Sequence, residues 1–121
     1  MFQDSATTIE NYERFVRRVI ESGEVWGIKH PDGTWATSES NEFEETLVYV
    51  FWSDKSYAKR HCKEVWSDSV PSLIGLDSFI DNWLRGMHTD GHLVGPNWDA
   101  HLFGLEVEPV ELAQRLIESD S

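Results

Sequence analysis

Cysteine is almost missing from this sequence. Cys62 is the one thiol among 121 residues, so no disulfide can close within the chain, and that fits a reducing compartment. Positive charge is scarce too: ten Lys and Arg stand against 22 Asp and Glu, a formal net charge of −12. A field of that sign repels nucleic-acid phosphates and anionic membrane surfaces and attracts a basic protein partner. No apolar run approaches the ~18 residues that a membrane span requires. The opening stretch MFQDSATTIENYERF has no apolar signal core. The expected setting is therefore cytoplasmic, with neither nucleic acid nor membrane as partner. Phosphate-loop and hydrolase signatures are missing as well. Gly86, Gly91 and Gly95 fall at irregular intervals in turn contexts, and no Ser stands in a Gly-x-Ser-x-Gly elbow. No cofactor and no catalytic residue is indicated, and there are no internal repeats or low-complexity segments.

What the chain does have is large rings and one strong apolar run. Six Trp in a sequence that is 40% hydrophobic imply a core rich in indoles. Residues 46–52, TLVYVFW, are β-branched, aromatic or aliphatic throughout and contain no Gly or Pro. A strand buried on both faces reads this way, whereas a half-exposed one would alternate. Ser53 and Asp54 stop the strand and can cap a helix over 54–64. Tyr57, Ala58, His61, Cys62 and Val65 fall on one face of that helix. Lys55, Lys59 and Lys63 recur every fourth residue on another face, with Arg60 beside them.

On either side the pattern is regular. Thr7 and Glu10 form a capping box for a helix that ends at Gly23. Its apolar face is Ile9, Tyr12, Phe15, Val16, Val19 and Ile20, and Glu10/Arg14 and Glu13/Arg17 sit at i,i+4 outside. Residues 24–30 and 34–37 read as a hairpin around Pro31-Asp32-Gly33, and 38–45 as an acidic loop. Residues 72–76 fit a short strand. Asp77 reads as the cap of a third helix carrying Phe79, Ile80, Trp83, Leu84 and Met87 inward. Residues 92–95 and 101–107 read as a second hairpin. Pro109 opens a last helix with Val110, Ala113, Leu116 and Ile117 inward. The order α-β-β-β-α-β-α-β-β-α describes an α+β fold, a mostly antiparallel sheet covered by helices. One domain is expected over 5–118, with flexible ends at 1–4 and 119–121.

Glu24-Val-Trp-Gly-Ile, Asp32-Gly33, Trp35-Ala36, Val50-Phe-Trp52, Tyr57-Ala58, Phe79, Trp83-Leu84 and Asp90-Gly91 together resemble the small bacterial family known as domain of unknown function 2750. The resemblance covers nearly the whole chain. It implies a fold and brings no catalytic residue with it. The Trp-Gly strand, Gly turn and apolar strand are also similar to the N-terminal domain of the secretion-associated SseB family, which implies a protein-interaction role.

Several residues are candidates for chemistry. His88, Asp90 and His92 are sound ligand types for zinc or another transition metal, with His101 a further ligand if the second hairpin folds back; Asp-Gly is also an ordinary turn. His61 and Cys62 are adjacent on a helix and so point about 100° apart, which does not pair a nucleophile with its base. Glu39, Glu42, Glu44 and Glu45 lack the spacing of a calcium loop and read as a solvated acidic loop. Lys55, Lys59, Arg60 and Lys63 form either a docking patch for an acidic or phosphorylated partner or a solvated face. Trp35, Trp52, Trp66 and Trp98 are candidates to line a groove, and Trp98, in a hairpin loop, is expected to be exposed for a partner. Three readings of function follow. The first is a non-enzymatic acidic interaction domain, of immunity or antitoxin type. The second is a metal-binding protein or metal-dependent enzyme using His88, Asp90 and His92. The third is a small-ligand sensor with a Trp-lined pocket.

Overall fold

A computed structural model of the chain describes residues 6–120. Helix α1 spans Ala6–Ser22 and buries Tyr12, Phe15, Val16 and Val19. It stops where expected. Gly23 takes φ 72°, and its N–H bonds the Val19 carbonyl at 2.8 Å, a left-handed close that suits a residue with no Cβ. Thr7 already lies inside the first turn, so it does not cap the helix. Ile9 is 45% exposed and leaves the apolar face. The expected i,i+4 pairs give way to ties with other groups: Glu13 pairs with Arg115 at 2.6 Å, and Arg14 donates to Asn11 Oδ1 at 2.8 Å.

Five strands follow the sequence pattern in part: β1 (Glu24–Lys29), β2 (Thr37–Glu39), β3 (Leu47–Phe51), β4 (Val70–Gly75) and β5 (Leu93–Pro96). They form two sheets. β1 pairs antiparallel with β4, from Glu24 opposite Gly75 to Lys29 opposite Val70. In the other sheet β3 is central, antiparallel to β2 and parallel to β5. The sheets meet where Trp26 and Trp52 exchange backbone hydrogen bonds of 2.8 and 2.7 Å. Val48, Val50 and Trp52 bury one face of the 46–52 run fully, whereas on the other face Phe51 is buried and Leu47 and Tyr49 only half-buried, so the expected double cover is partial. The domain is α+β, with one antiparallel and one mixed sheet.

Both expected hairpins are shorter than anticipated. In the first, the turn is held by the His30 N–H on the Thr34 carbonyl, but pairing ends after a single Lys29–Trp35 bridge. The Trp35 ring lies over Gly27, where a Cβ would sit 2.8 Å from its Cε3, and packs edge-on against Trp83 at 4.7 Å. The chain then crosses to pair with β3, so part of the presumed acidic loop is strand. In the second, the return arm keeps one bridge, Val94 to Val107. The Trp98 indole fills the space between Gly95 and Gly104 and prevents the arms from zipping together.

Helix α2 is only Lys55–Lys59. A 3₁₀ turn at Glu64–Trp66 follows, and Val65 points out at 93% exposure instead of joining the core. The third helical stretch is α3 (Leu76–Ser78), a π-helical segment (Phe79–Leu84) and α4 (Arg85–Asp90) in continuous succession. Gly75 rather than Asp77 occupies its cap position. Gly91, φ 77°, closes it with its N–H on His88 O, followed by the His92 N–H on Met87 O. Helix α5, Pro109–Asp120, buries Leu112 and Leu116. Val110 and Ile117, expected inward, are 42% and 55% exposed. Of the stretches expected to be flexible, 1–4 and residue 121 lie outside the described residues.

Two apolar clusters result. Phe15, Phe51, Phe79 and Leu116 centre the larger one, between the helices and the sheets. Ile28, Val48, Trp52, Ala58 and Trp98 make the smaller one, beneath α2.

Candidate functional site

The loop between β2 and β3 is built, not slack. The Ser40 N–H bonds the Thr46 carbonyl at 2.9 Å and closes the neck. Glu106 reaches in from 66 residues away: its carboxylate accepts the Ser40 hydroxyl at 2.6 Å and the Asn41 N–H at 2.8 Å. Ser40 Oγ in turn accepts the N–H groups of Glu42 and Phe43, each at 3.0 Å. The result presents Phe43, 55% exposed, between the exposed carboxylates of Glu42, Glu44 and Glu45. A groove of about 510 Å³ runs beside the ring, lined by Phe43, Glu44, His88, His92 and Glu108. An exposed ring on a pre-ordered loop, rimmed by charge of one sign, can seat in a partner without a large ordering cost.

The expected metal ligands separate. His88 and His92 open onto the Phe43 groove, whereas Asp90 lines a smaller groove of about 250 Å³ with Tyr49 and Trp83. Residues 88 and 90 of one helix point about 200° apart, which accounts for the split. His92 Nδ1 accepts the Leu47 N–H at 3.2 Å. His101 lies in a third groove, with Arg14 and Arg60. Among the described residues no three His, Cys, Asp or Glu side chains gather as a metal-binding group.

The expected basic patch divides as well, because α2 ends before Lys63. Lys55 Nζ stands 5.7 Å over the Trp26 ring, and the Arg60 guanidinium 5.7 Å over Tyr57. Lys59 is exposed, while Lys63 has extended backbone beyond the helix. Trp98 is the clearest correction. It is 1% exposed, and its Nε1–H donates to the Leu105 carbonyl at 2.8 Å. Its own carbonyl accepts Trp52 Nε1–H at 2.9 Å. The loop position suggested a surface ring, but the two glycines around it leave an indole-shaped space. No Trp-lined groove forms from the four expected rings: Trp35 packs on Trp83, Trp66 on His30, and Trp52 on His61.

Cys62 is half-buried, with its thiol toward the Ala58 carbonyl at 3.9 Å, and burial raises its pKa. An activated thiolate needs the opposite shift. His61 is the group that sequence reasoning undervalued. It is 5% exposed, stacks on Trp52 at 4.8 Å, and its Nε2 has no hydrogen-bond partner. Burial first, then the charges of Arg60 and Lys63, bring its pKa down to about 4 against a smaller opposing pull from Asp99. Nearby, Asp54 stands at the cap position of α2 without capping it. Its carboxylate accepts Arg18 Nε and Nη2 at 2.7 and 2.6 Å and Ser53 Oγ at 2.7 Å, and the bonds from Arg18 hold its pKa low. No helix among the described residues is long and apolar enough to cross a membrane.

No curated protein and no solved structure is significantly similar to this chain. A family model does match it, over residues 12–116, and is described as a protein of unknown function (DUF2750).

Proposed function

We propose, for a chain that belongs to the DUF2750 family of proteins of unknown function, that it is a non-enzymatic acidic interaction domain that docks a basic protein through the Phe43 loop. The observation that carries this reading is the exposed Phe43 ring held among carboxylates by the Glu106 anchor. Burying such a ring supplies roughly 1.5–3 kcal/mol, and aromatic anchors of this kind dominate interface energies. The net charge of −12 steers a basic partner onto the loop and disfavours acidic ones. An immunity-type or antitoxin-type protein of the bacterial cytoplasm, neutralising a basic toxin, is the specific form of this reading.

The test uses untagged protein at native expression level, with co-purifying protein identified by mass spectrometry. Wild type, Phe43→Ala, and the combined Glu42→Gln, Glu44→Gln, Glu45→Gln variant are compared at low and high salt. A basic protein retained by the wild type and lost from both variants supports the reading. Repeated recovery of no partner, or of a partner indifferent to both variants, refutes it.

A further inference from the structure

A second concave site lies apart from the Phe43 loop and shares no residue with its groove. Asn11 and Arg14 from α1, Tyr57 and Arg60 from α2 and its cap, and His101 from the loop after β5 line a cleft of about 510 Å³. Its floor is fixed. Trp52 is fully buried and tied to the Trp98 carbonyl. Asn97 spends its amide on Ser53, accepting the Ser53 N–H at 2.8 Å and donating to Ser53 Oγ at 3.1 Å.

Unpaired positive charge sets this cleft apart: the groove lined by Arg17 and Arg115 also holds Glu13 and Glu21, and its Arg115 is paired with Glu13. In a chain with 22 acidic and ten basic residues, two guanidinium groups reach one concavity, and neither is ion-paired among the described residues. The nearby carboxylates make no ion pair with them, although Asp99 keeps its charge in the cleft. Asp54, whose carboxylate feels the Arg14 charge, is held by Arg18 and Ser53. Asp99, which also lines the cleft, has Oδ1 bonded by the backbone N–H groups of His101 and Phe103 at 2.8 and 3.1 Å. Arg14 uses Nη1 on Asn11, and Arg60 lies over Tyr57, so the rest of each fork is open to a ligand.

We propose that this cleft binds the phosphate of a small organic phosphate monoester, with Arg14 and Arg60 closing on it from two elements. Paired guanidinium forks suit a dianion that offers oxygens in two directions, whereas a monocarboxylate satisfies only one fork. Asn11, the Tyr57 hydroxyl and His101 supply further donors at the rim. The volume falls in the range of ordinary small-ligand sites. A nucleic-acid polymer is disfavoured by the net negative field. A single phosphate responds to charges within a screening length of about 8–10 Å, and among the residues that line the cleft two arginines outnumber the one carboxylate, Asp99.

The experiment is a titration of the full chain with phenyl phosphate, followed by backbone amide and arginine side-chain NMR. Inorganic phosphate and a phosphoserine peptide are run in parallel. Arg14→Gln, Arg60→Gln and Arg14→Lys are compared with Arg17→Gln, an exposed residue of α1 outside the cleft. Shifts in the amides of Asn11, Tyr57, Ala100 and His101 are expected. Affinity should fall by roughly tenfold or more in each Gln variant, partly in Arg14→Lys, and not at all in Arg17→Gln. No shift at about 10 mM phenyl phosphate, a weak-binding limit, overturns the proposal. So does binding that survives both Gln substitutions. A phosphoserine peptide binding much more tightly than phenyl phosphate would assign the cleft to a protein partner and overturn the small-molecule assignment. Failure here leaves the Phe43 reading untouched, because its test uses other residues.

Discussion

Replacing His61 with Phe should flatten the pH dependence of stability between pH 7 and pH 5. His61 is buried on Trp52 with an orphan Nε2, and its folded pKa is brought from 6.5 down to about 4. The unfolded chain therefore takes up a proton near pH 6.5 that the folded chain refuses until about pH 4. Stability from this group is complete above 6.5, declines as pH falls, and levels off below about 4. Between pH 7 and pH 5 the loss amounts to about 2 kcal/mol, from the two pKa values at 1.36 kcal/mol per unit. That is a sizeable part of the roughly 5–15 kcal/mol that holds a domain of this kind together. Phe keeps a ring against Trp52 and cannot titrate. Its larger ring can cost about 1–3 kcal/mol through overpacking, but that cost is the same at every pH. The assay is urea unfolding by far-UV circular dichroism at several pH values, which avoids direct quenching of Trp52 by a charged imidazole. Every other group is common to both proteins and cancels in the difference. If the two stability curves run parallel from pH 7 to pH 5, the burial argument for His61 is wrong.

Four further outcomes are expected. A Cβ at Gly95 would sit 2.6 Å from the Trp98 indole, so Gly95→Ala should lower stability by about 1–3 kcal/mol or more. Gly86→Ala meets nothing within 4 Å inside α4 and should raise it by about 0.5–1 kcal/mol; melting temperatures separate the two. Arg18→Gln frees Asp54 from the bonds that depress its pKa. Stability from that depression is present above the ordinary carboxylate pKa and is lost as pH falls through the lowered value. The melting-temperature gap between Arg18→Gln and wild type should therefore shrink on going from pH 7 to pH 3, and a constant gap would contradict it. Val65→Asp, at a position 93% exposed, should change the urea midpoint little; a large loss would mean that Val65 packs after all.

The sequence patterns read correctly where the cause is local. Helix α1 with its Gly23 stop, the all-apolar β3 and the Gly91 close follow from periodicity and from the conformational freedom of glycine, both visible within a few residues. What failed depended on distant partners. Trp98 looked like a loop ring because nothing in its neighbourhood announces that Gly104 lies on its other face. Spacing alone lined up Lys55, Lys59 and Lys63, but the helix that would align them ends at Lys59. The acidic loop was legible as acidic; its order was not, since the anchor is Glu106, far along the chain. The Arg14/Arg60 cleft joins α1 to the end of α2, and no local motif marks such a meeting. The main partner of β1 proved to be β4, and that choice too is made by packing beyond the reach of a short window.

The meeting of the two sheets at Trp26 and Trp52 sets how the molecule comes apart. On that side three backbone hydrogen bonds join β1 residues to the chain, the Trp26–Trp52 pair and the Ala36 N–H on Ile28 O, whereas six residue pairs join β1 to β4. Backbone pairing is therefore denser within the β1–β4 ribbon than across the seam, and there Val25, Ile28 and Ile74 hold the ribbon to the two cores by side-chain burial. Amide protons of Trp26 and Trp52, which sit in an isolated bridge, should exchange with solvent sooner than those bonded across the β1–β4 ladder, so the order of exchange would mark the seam between the sheets.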